Sequence, residues 1–309
     1  MKLLILGAGA TGGYFGGHLA KAGVDVTFLV RAKRREQLAR EGLRIESPAG
    51  KSVLRVNAIT RDEIASPYDA VIVSCKAYDL DGAIDAITPA IGETSLVLPL
   101  LNGMKHLDTL DQAFGQSRVL GGLCHISVTL ADDGTIRQLG QLATLTLGAR
   151  LDTQKPAASK LHQTLARGID AILPADIIAA MWEKWFFIAA LASSTCLMRA
   201  PVGDIVRADR GAAFMTALLN ECSAIASTNG YPPLPQTLDF ARTFLTDRDS
   251  DLSASMLRDI KRGSPIEADQ IVGDIIRRGR ARGMATPLLD IAYLHLLAYE
   301  NNRAASKNG

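Results

Sequence analysis

The feature that most constrains this chain is a glycine-rich segment close to its N-terminus. Residues 3–6 form a short apolar run typical of a buried strand, and residues 7–12 then fit the pattern GxGxxG ahead of a helical stretch. The pattern is weak by itself, but between a strand and a helix it is typical of a dinucleotide-binding turn. The sequence therefore predicts a Rossmann-type unit at this end of the chain.

Each residue of that segment has an expected task. Gly7 allows the tight turn, Gly9 lets the backbone approach a pyrophosphate, and Gly12 permits close packing of helix on strand. Ala10 and Thr11 lie at the helix N-terminus, whose free N–H groups favour phosphate oxygens. A glycine-rich turn that binds nothing is the competing interpretation, and the strand–loop–helix context favours the nucleotide.

The residues after the second predicted strand indicate which dinucleotide to expect. Arg31 follows the strand-like residues 25–30, where an enzyme that uses NAD usually carries an acid for the ribose 2′-hydroxyl. A guanidinium there suits the 2′-phosphate of NADP(H) instead. Lys33, Arg34 and Arg35 come next, and Arg34 or Arg35 is expected simply to begin a solvated helix. Arg31 is therefore predicted to select NADP(H).

Apolar strands alternate with helical patterns through the first half of the chain. Near-continuous apolar runs at residues 68–75 and 95–101 are typical of a parallel sheet covered on both faces, with a helix at 80–91 between them. Further strand-like runs at 119–147 contain tight turns predicted at Asp133-Gly134 and at Gly140, which suggests antiparallel pairs at the end of the domain.

The second half is helical in pattern. Residues 176–198 are the longest helix candidate and are apolar nearly all round after Lys184, as a helix at the centre of a domain is. Further helices are predicted at 210–229, 234–246, 253–261, 265–282 and 287–301. The predicted fold class is α/β, with an N-terminal Rossmann-type doubly wound sheet in residues 1–173 and an all-α C-terminal domain in residues 174–309.

Composition limits the function further. The formal net charge of +2, from largely dispersed basic residues, gives no case for nucleic acid. Neither a membrane span nor a signal peptide is predicted. The four cysteines form no CxxC pair and the five histidines show no metal-ligand spacing, so a cytoplasmic protein with reduced thiols and no metal is expected. A homodimer is an assembly that the sequence leaves open.

Two polar residues stand where strands of the predicted parallel sheet end. Lys76 follows the first of the two apolar runs, and Asn102 follows the second. Ligands of open α/β sheets bind at the carboxyl ends of the strands, which favours a role in the site. A surface lysine and an ordinary Asn-Gly turn are equally good interpretations, and spacing alone leaves the question even.

Along most of its length, the sequence resembles the ketopantoate reductase family. The residues that carry the resemblance follow one another in the family's order: the GxGxxG segment, Arg31, Lys76-Ala77, Asn102-Gly103-Met104, His125, Trp182-Glu183-Lys184, Ser255-Met256-Leu257-Arg258-Asp259, Glu267 and Asp269. The resemblance implies NADPH-dependent reduction of a 2-oxo acid to a 2-hydroxy acid. The specific reaction it implies is 2-dehydropantoate (ketopantoate) to pantoate, in pantothenate biosynthesis.

The resemblance also implies roles for individual residues. Lys184 resembles the general acid that protonates the developing alkoxide, although without the resemblance a solvated lysine would be the better interpretation. Ser255 resembles the contact to the substrate carboxylate, and a buried helix serine is its alternative. Asn102 would bind substrate, and Lys76, Asn102 and Glu267 would contact the cofactor.

Glu267 resembles the family's acid that orients substrate and lysine. It also fits a purely structural pattern, because Ser264-Pro265-Ile266-Glu267 has the form of a capping box with Ser264 as the N-cap and Glu267 at the third helical position. The two roles compete for one carboxylate.

The resemblance fails at two positions beside Lys184. The family pattern has asparagines four and eight residues after the lysine, on the same helix face, and this chain has Ile188 and Ala192 there. Thr195 returns to that face only eleven residues on, about 16 Å along the axis. We therefore expect a more apolar pocket wall. A reductase of a more apolar 2-oxo acid and a non-catalytic NADP(H)-binding sensor remain alternatives.

Overall fold

The computed structural model describes the backbone of residues 1–308 and the side chains of residues 1–306. The chain divides into two compact units. The first comprises Met1–Leu101 and His106–Ile178, and the second comprises Asn102–Lys105 and the chain from Ala179 onward. The division at residues 173/174 that the sequence suggests stays a prediction.

The first unit is built on two sheets. Its strands are, in chain order, β1 (Lys2–Leu6), β2 (Asp25–Leu29), β3 (Leu43–Ser47), β4 (Gly50–Leu54), β5 (Asn57–Ile59), β6 (Ala70–Val73), β7 (Leu96–Pro99), β8 (Gly121–Leu130), β9 (Ile136–Gly148) and β10 (Asp170–Ile172). The helices up to the start of the second half are α1 (Ala10–Lys21), α2 (Ala32–Glu41), α3 (Leu80–Ile87), α4 (Lys105–Phe114) and α5 (Lys155–Leu165).

One sheet is wholly parallel, in the order β5-β2-β1-β6-β7. The chain therefore runs outward from β1 in one direction and then returns to β1's other edge with β6. Leu6 pairs with Val73, so the carboxyl ends of β1 and β6 lie side by side at this switch in direction. In such sheets ligands bind outside the carboxyl ends at this switch, and the glycine-rich segment begins there. The Rossmann-type N-terminal domain is confirmed.

The second sheet has the order β10-β9-β3-β4, with β8 paired to β9. The tight turn predicted at Asp133-Gly134 joins β8 to β9, and Gly134 has φ +80°. The turn predicted at Gly140 is wrong, because β9 continues through it. Between the pairs Ile126–Ala143 and Val128–Gln138, one residue of β8 faces four of β9, and Gly140 lies in that bulge.

The second unit is helical in its described part. Its helices are α6 (Ile177–Met198), which begins in the first unit, α7 (Val202–Arg207), α8 (Gly211–Thr228), α9 (Pro235–Leu245), α10 (Ser255–Lys261), α11 (Asp274–Arg280) and α12 (Pro287–Asn308). The central helix α6 lies where the sequence predicts it, and Trp185 and Phe186 are buried in the core. By length and composition α6 could cross a membrane, but 61% of its apolar 18-residue stretch is buried in the protein. A core helix passes the same test.

A π-helical turn, Asp269–Gly273, precedes α11. The sequence predicts one regular helix over residues 265–282, which is wrong at its first turn. Inside the π-turn the indole N–H of Trp185 donates to the Ile271 carbonyl at 2.9 Å. Gly273 is required at this spot, because a Cβ there would lie 2.6 Å from an Asp269 carboxylate oxygen and 2.8 Å from the Tyr293 ring. Such turns are frequent at functional sites.

Candidate active site

The glycine-rich segment has the geometry of a phosphate-binding loop. Gly7 has φ +84° and its N–H donates to the Leu29 carbonyl at 2.8 Å. A Cβ on Gly12 would lie 2.4 Å from Ser74 Oγ and 2.7 Å from the Gly7 carbonyl, whereas a Cβ on Gly9 would meet no atom within 4 Å. The backbone at Gly9 is therefore open to a ligand, while Gly12 brings helix α1 against the sheet.

Helix α1 supplies the electrostatics of that loop. It begins at Ala10 with Gly9 as its N-cap, no side chain caps it, and its first turn contains no acid. Ala10 and Thr11 are partly exposed. The first N–H groups of a helix lack intrahelical acceptors and carry the positive end of its dipole. These residues fit the pyrophosphate of a dinucleotide.

The basic residues around the start of α2 have three different environments. Arg31 is the N-cap of α2 and is exposed, and neither Arg31 nor Lys33 forms an ion pair among the described residues. Arg35 is exposed and pairs with Glu63 at 2.6 Å, as a residue of a solvated helix would. Arg34 is half-buried and donates to the Ala8 carbonyl at 3.0 Å. The expectation of a solvated side chain holds for Arg35 and not for Arg34.

Lys76 follows β6 by three residues and is partly exposed, at the N-cap of the short helical turn Ala77–Asp79. Its carbonyl accepts from the Asp79 N–H at 2.9 Å. Because β6 pairs with β1, Lys76 lies on the carboxyl edge of the sheet that also carries the glycine-rich loop. The predicted role of Lys76 in cofactor binding is compatible with this placement and stays a prediction.

Lys184 and Asn102 are brought together in the second unit. The Lys184 ammonium donates to Asn102 Oδ1 at 2.8 Å, and both side chains are partly exposed. An ammonium can only donate, so the amide oxygen must face it. The Asn102 NH2 then faces elsewhere, and it has no acceptor among the described residues. Asn102 therefore holds the lysine with one end of its amide and keeps two N–H donors for a ligand.

The turn that carries Asn102 is fixed by contacts that the sequence does not predict. Gln270, buried in the π-turn, donates to the Asn102 carbonyl at 2.7 Å. Gly103 has φ +77°, and a Cβ there would lie 2.5 Å from the Gln270 carbonyl. Lys105 pairs with Asp269 at 2.5 Å. No local pattern marks these contacts, because the partners are more than 160 residues apart in the sequence.

Asp269 forms the centre of a small charged network. Its carboxylate accepts from Lys105, from Arg277 at 2.6 Å and from the Tyr293 hydroxyl at 2.9 Å. Burial raises the pKa of Asp269, but the hydrogen bonds from Arg277, Lys105 and Tyr293 outweigh it and lower the pKa to about 2. Asp269 is therefore a fixed anion in the neutral range. It anchors the Asn102 turn.

Glu267 lies just before the π-turn and is 6% exposed. The capping box is wrong, because the helical residues begin only at position 268. The Ser264 N–H instead closes α10 by donating to the Asp259 carbonyl at 2.9 Å. The Ile266 N–H donates to Glu300 at 2.7 Å, which holds the segment extended. Glu267 is thus a buried acid without the capping role that competed with its predicted function.

Ser255 is the first residue of α10 and is partly exposed. Its hydroxyl has no hydrogen-bond partner among the described residues. The preceding Ala254 N–H donates to Thr195 Oγ1 of α6 at 3.3 Å, and the Thr195 hydroxyl in turn donates to the Leu191 carbonyl at 2.7 Å. Thr195 therefore fixes the start of α10 beside α6. Its hydroxyl does not replace the missing asparagines.

The two positions where the family resemblance fails differ in their surroundings. Ile188 keeps exposed surface, whereas Ala192 is only 2% exposed. A ligand near Lys184 can therefore meet the Ile188 side chain directly. Ala192 is packed inside the unit, and a larger amide there would displace its neighbours.

Comparison with known proteins agrees with the fold and identifies the family. The family model described as Ketopantoate reductase PanE/ApbA matches residues 3–151, and the model for its C-terminal domain matches residues 176–300. The chain belongs to the ketopantoate reductase family. It is 34% identical to the uncharacterized oxidoreductase YkpB of Bacillus subtilis, over 97% of this chain and 99% of that protein.

Solved structures extend this likeness to the fold. The PanE/ApbA family ketopantoate reductase from Ralstonia eutropha JMP134 is 28% identical, with a TM-score of 0.87 over 98% of this chain and 100% of that one. A D-mandelate dehydrogenase solved with NADH and anilino(oxo)acetate has a TM-score of 0.88 at 23% identity, over 98% of this chain and 100% of that one. At that identity the likeness concerns the fold alone. This chain is an oxidoreductase of the ketopantoate reductase family, and its substrate has to be argued from its own residues.

Proposed function

We propose that this family member reduces a 2-oxo acid to a 2-hydroxy acid with NADPH. The observation that carries the proposal is the Lys184–Asn102 pair, in which an ammonium is held at 2.8 Å by an amide that keeps its own donors available. Reduction of a ketone needs a proton and a positive charge at the carbonyl oxygen, and Lys184 can supply both. A non-catalytic sensor has no need for this arrangement.

The cofactor would be held by the first unit. The N–H groups at the start of α1 would bind the pyrophosphate, and Arg31, exposed and without an ion pair among the described residues, would bind the 2′-phosphate. Lys33, in the first turn of α2, adds a second exposed cation. When bound, NADPH supplies the hydride that reduces the carbonyl carbon.

The second unit would hold the substrate and move the proton. The Lys184 ammonium donates a proton to the carbonyl oxygen as that oxygen becomes a hydroxyl. The free N–H donors of Asn102 and the unpaired hydroxyl of Ser255 can bind the substrate's oxygens. Glu267, which is not part of a capping box, would orient the substrate and Lys184. Lys76 and Asn102 would each contact the cofactor as well.

The finer assignment is 2-dehydropantoate as substrate and pantothenate biosynthesis as the pathway. It rests on the family and on the retained lysine and glutamate. The specific observation against strict selectivity is Ile188, whose partly exposed aliphatic side chain stands where the family pattern has an amide. We infer that 2-oxo acids with an apolar side chain are accepted alongside 2-dehydropantoate. An apolar wall tolerates several side chains, whereas a hydrogen-bonding wall discriminates strongly.

The test measures NADPH oxidation, monitored by absorbance. The panel of substrates is 2-dehydropantoate, 2-oxoisovalerate, pyruvate and phenylglyoxylate. We expect turnover of 2-dehydropantoate and of at least one apolar 2-oxo acid, and a loss of at least about a hundredfold in kcat in Lys184→Ala. Tight NADPH binding with no oxidation by any of the four acids would instead support the sensor. Turnover of 2-dehydropantoate alone would contradict the inference that Ile188 lets apolar 2-oxo acids bind. The proposed reduction of 2-dehydropantoate would then stand.

The choice of cofactor has its own test. We expect NADPH to bind more tightly than NADH, and Arg31→Asp to abolish or reverse that preference, because a carboxylate repels the 2′-phosphate and accepts from a 2′-hydroxyl. Equal affinities of the unmodified protein for the two cofactors would contradict the role of Arg31.

A further inference from the structure

Arg34 occupies an unusual place for a cation on a surface helix. Its guanidinium donates through Nη2 to the Ala8 carbonyl at 3.0 Å and to the Gly134 carbonyl at 3.1 Å, and through Nη1 to Gln37 Oε1 at 2.7 Å. It therefore links α2, the glycine-rich loop and the β8–β9 turn. All of these elements belong to the first unit.

The burial of this guanidinium needs an explanation. Arg34 forms no ion pair within the described part of the chain, and its Nε is buried there without an acceptor. Burial, and then the nearby charge of Arg44, lower the pKa of Arg34, while Glu41 acts in the opposite direction. A half-buried charge bound mainly by carbonyls is costly by itself. The result of this arrangement is that the Ala8 carbonyl is held in a fixed position.

That carbonyl determines the direction of the next N–H. The chain has no cis peptide bond in its described part, so the C=O of Ala8 and the N–H of Gly9 point in opposite directions. With the Ala8 carbonyl directed at Arg34, the Gly9 N–H points away from Arg34. This N–H has no acceptor among the described residues, and the space beside the Gly9 Cα is open.

The β8–β9 turn keeps Arg34 in place. Gly134 has φ +80°, and a Cβ there would lie 2.4 Å from Arg34 Nη1. Gln37 accepts from Arg34 and donates to the Asp133 carbonyl at 2.9 Å, so the same turn is tied to α2 twice. The guanidinium is thus bonded both to the glycine-rich loop and to the β8–β9 turn.

We propose that Arg34 is a positioning residue that orients the Ala8–Gly9 peptide, so that the Gly9 N–H donates to the pyrophosphate of the bound dinucleotide. The proposal rests on the dinucleotide binding proposed above. It separates two tasks that adjacent cations perform: Arg31 recognises the 2′-phosphate, and Arg34 acts on the part of the cofactor that NADPH and NADH share.

The experiment measures the Kd of NADPH and of NADH, by calorimetric titration, for the unmodified protein and for Arg34→Met, Arg31→Met and Arg35→Met. We expect Arg34→Met to raise both Kd values by about tenfold, the scale of one lost charge-assisted hydrogen bond, without changing their ratio. Arg31→Met should change the ratio. Arg35→Met, the matched control on the same helix, should change neither value by more than about twofold.

Three outcomes would overturn the proposal. If Arg34→Met weakens NADPH alone, Arg34 contacts the 2′-phosphate. If it leaves both Kd values unchanged in the folded protein, the guanidinium only stabilises the fold. If the unmodified protein binds neither cofactor, the proposed function fails as well. If the unmodified protein and Arg34→Met bind both cofactors equally well, only the role of Arg34 is contradicted.

A second variant covers the case in which Arg34→Met does not fold. Arg34→Lys keeps the charge and can reach one of the two carbonyls, but it loses the planar fork. We expect an increase of about threefold in both Kd values, again with an unchanged ratio and with a melting temperature close to that of the unmodified protein. ADP-ribose, which contains the pyrophosphate without a nicotinamide, should lose affinity in parallel. Unchanged Kd values in Arg34→Lys and in the ADP-ribose titration would contradict the proposal.

Discussion

The contact between Lys184 and Asn102 predicts that the two residues act as one catalytic unit. Replacing Asn102 by leucine keeps the branching of the side chain at Cγ but removes the acceptor at 2.8 Å from the ammonium. Lys184 then keeps its charge and loses one of the groups that hold it. In a Lys184→Met background the same replacement has no ammonium to release, so it should cost much less.

The size of the effect follows from the type of bond. A hydrogen bond to a charged group contributes about 1.5 to 3 kcal/mol. The pair is partly exposed, which favours the lower part of that range, and 1.5 kcal/mol corresponds to roughly tenfold in rate. Asn102→Leu should therefore lower kcat/KM by at least about tenfold more in the native background than in Lys184→Met.

The assay is single-turnover NADPH oxidation with 2-dehydropantoate, or with the best acid of the panel, for all four members of the cycle. The ratio of the two fold-changes gives the coupling directly. Asn102→Asp is the control, because it keeps an acceptor for Lys184 but has no N–H donors. It should retain the coupling to Lys184 while raising KM for an anionic substrate.

One result would refute this reasoning. If Asn102→Leu has the same effect with and without Lys184, then Asn102 acts on substrate or cofactor independently, and the hydrogen bond to the lysine has no part in catalysis. Loss of folding in Asn102→Leu would appear as a lower melting temperature, and Asn102→Ala, which also removes the acceptor, would then take its place in the cycle.

Three further predictions concern the residues around that pair. Glu267→Gln should lower kcat by at least about tenfold with little change in melting temperature, since no capping box depends on the carboxylate; a parallel loss of stability would instead indicate a structural role. Asp269→Asn should reduce the free energy of unfolding at pH 7, and chemical denaturation should find this difference vanishing towards pH 2. The reason is that a carboxyl with a folded pKa of about 2 stabilises the fold above its unfolded pKa and loses that effect as pH falls through 2. A difference independent of pH would contradict it. Ile188→Asn should raise the ratio of kcat/KM for 2-dehydropantoate over 2-oxoisovalerate by about three- to tenfold, the scale of one added hydrogen bond; an unchanged ratio would place Ile188 away from the substrate.

Much of the fold could be predicted because its determinants are local. The strand, glycine turn and helix at residues 2–21 are consecutive in the sequence, and two of the glycines have local tasks, since Gly7 has a positive φ and a Cβ on Gly12 would clash with the Gly7 carbonyl. The helix α6 was evident for the same reason, since a run of apolar residues of that length with no glycine or proline has few alternatives.

The errors arose where distant residues decide a local choice. The capping box at Ser264 and Glu267 satisfies every local rule, yet Tyr299 and Glu300 take the backbone groups of that segment. The Tyr299 hydroxyl donates to the Ser264 carbonyl at 2.8 Å, and Glu300 accepts from the Ile266 N–H. These partners are more than 30 residues away in the sequence. Sequence spacing alone does not reveal that distant residues compete for the backbone groups of a helix start.

Distant partners also decide the roles of the three arginines that follow β2. Arg31, Arg34 and Arg35 are equivalent by residue type and almost adjacent, and sequence analysis assigned a specific role only to Arg31. Their differences come from what lies opposite: Glu63 faces Arg35, and the Ala8 and Gly134 carbonyls, 26 and 100 residues away in the sequence, face Arg34. Arg31 is the N-cap of α2 and has an extended backbone, whereas Arg34 lies in the first turn of the helix. Under the two proposals, Arg31 sets the selectivity between NADPH and NADH, and Arg34 sets the affinity for both. Single substitutions can therefore test the two roles separately.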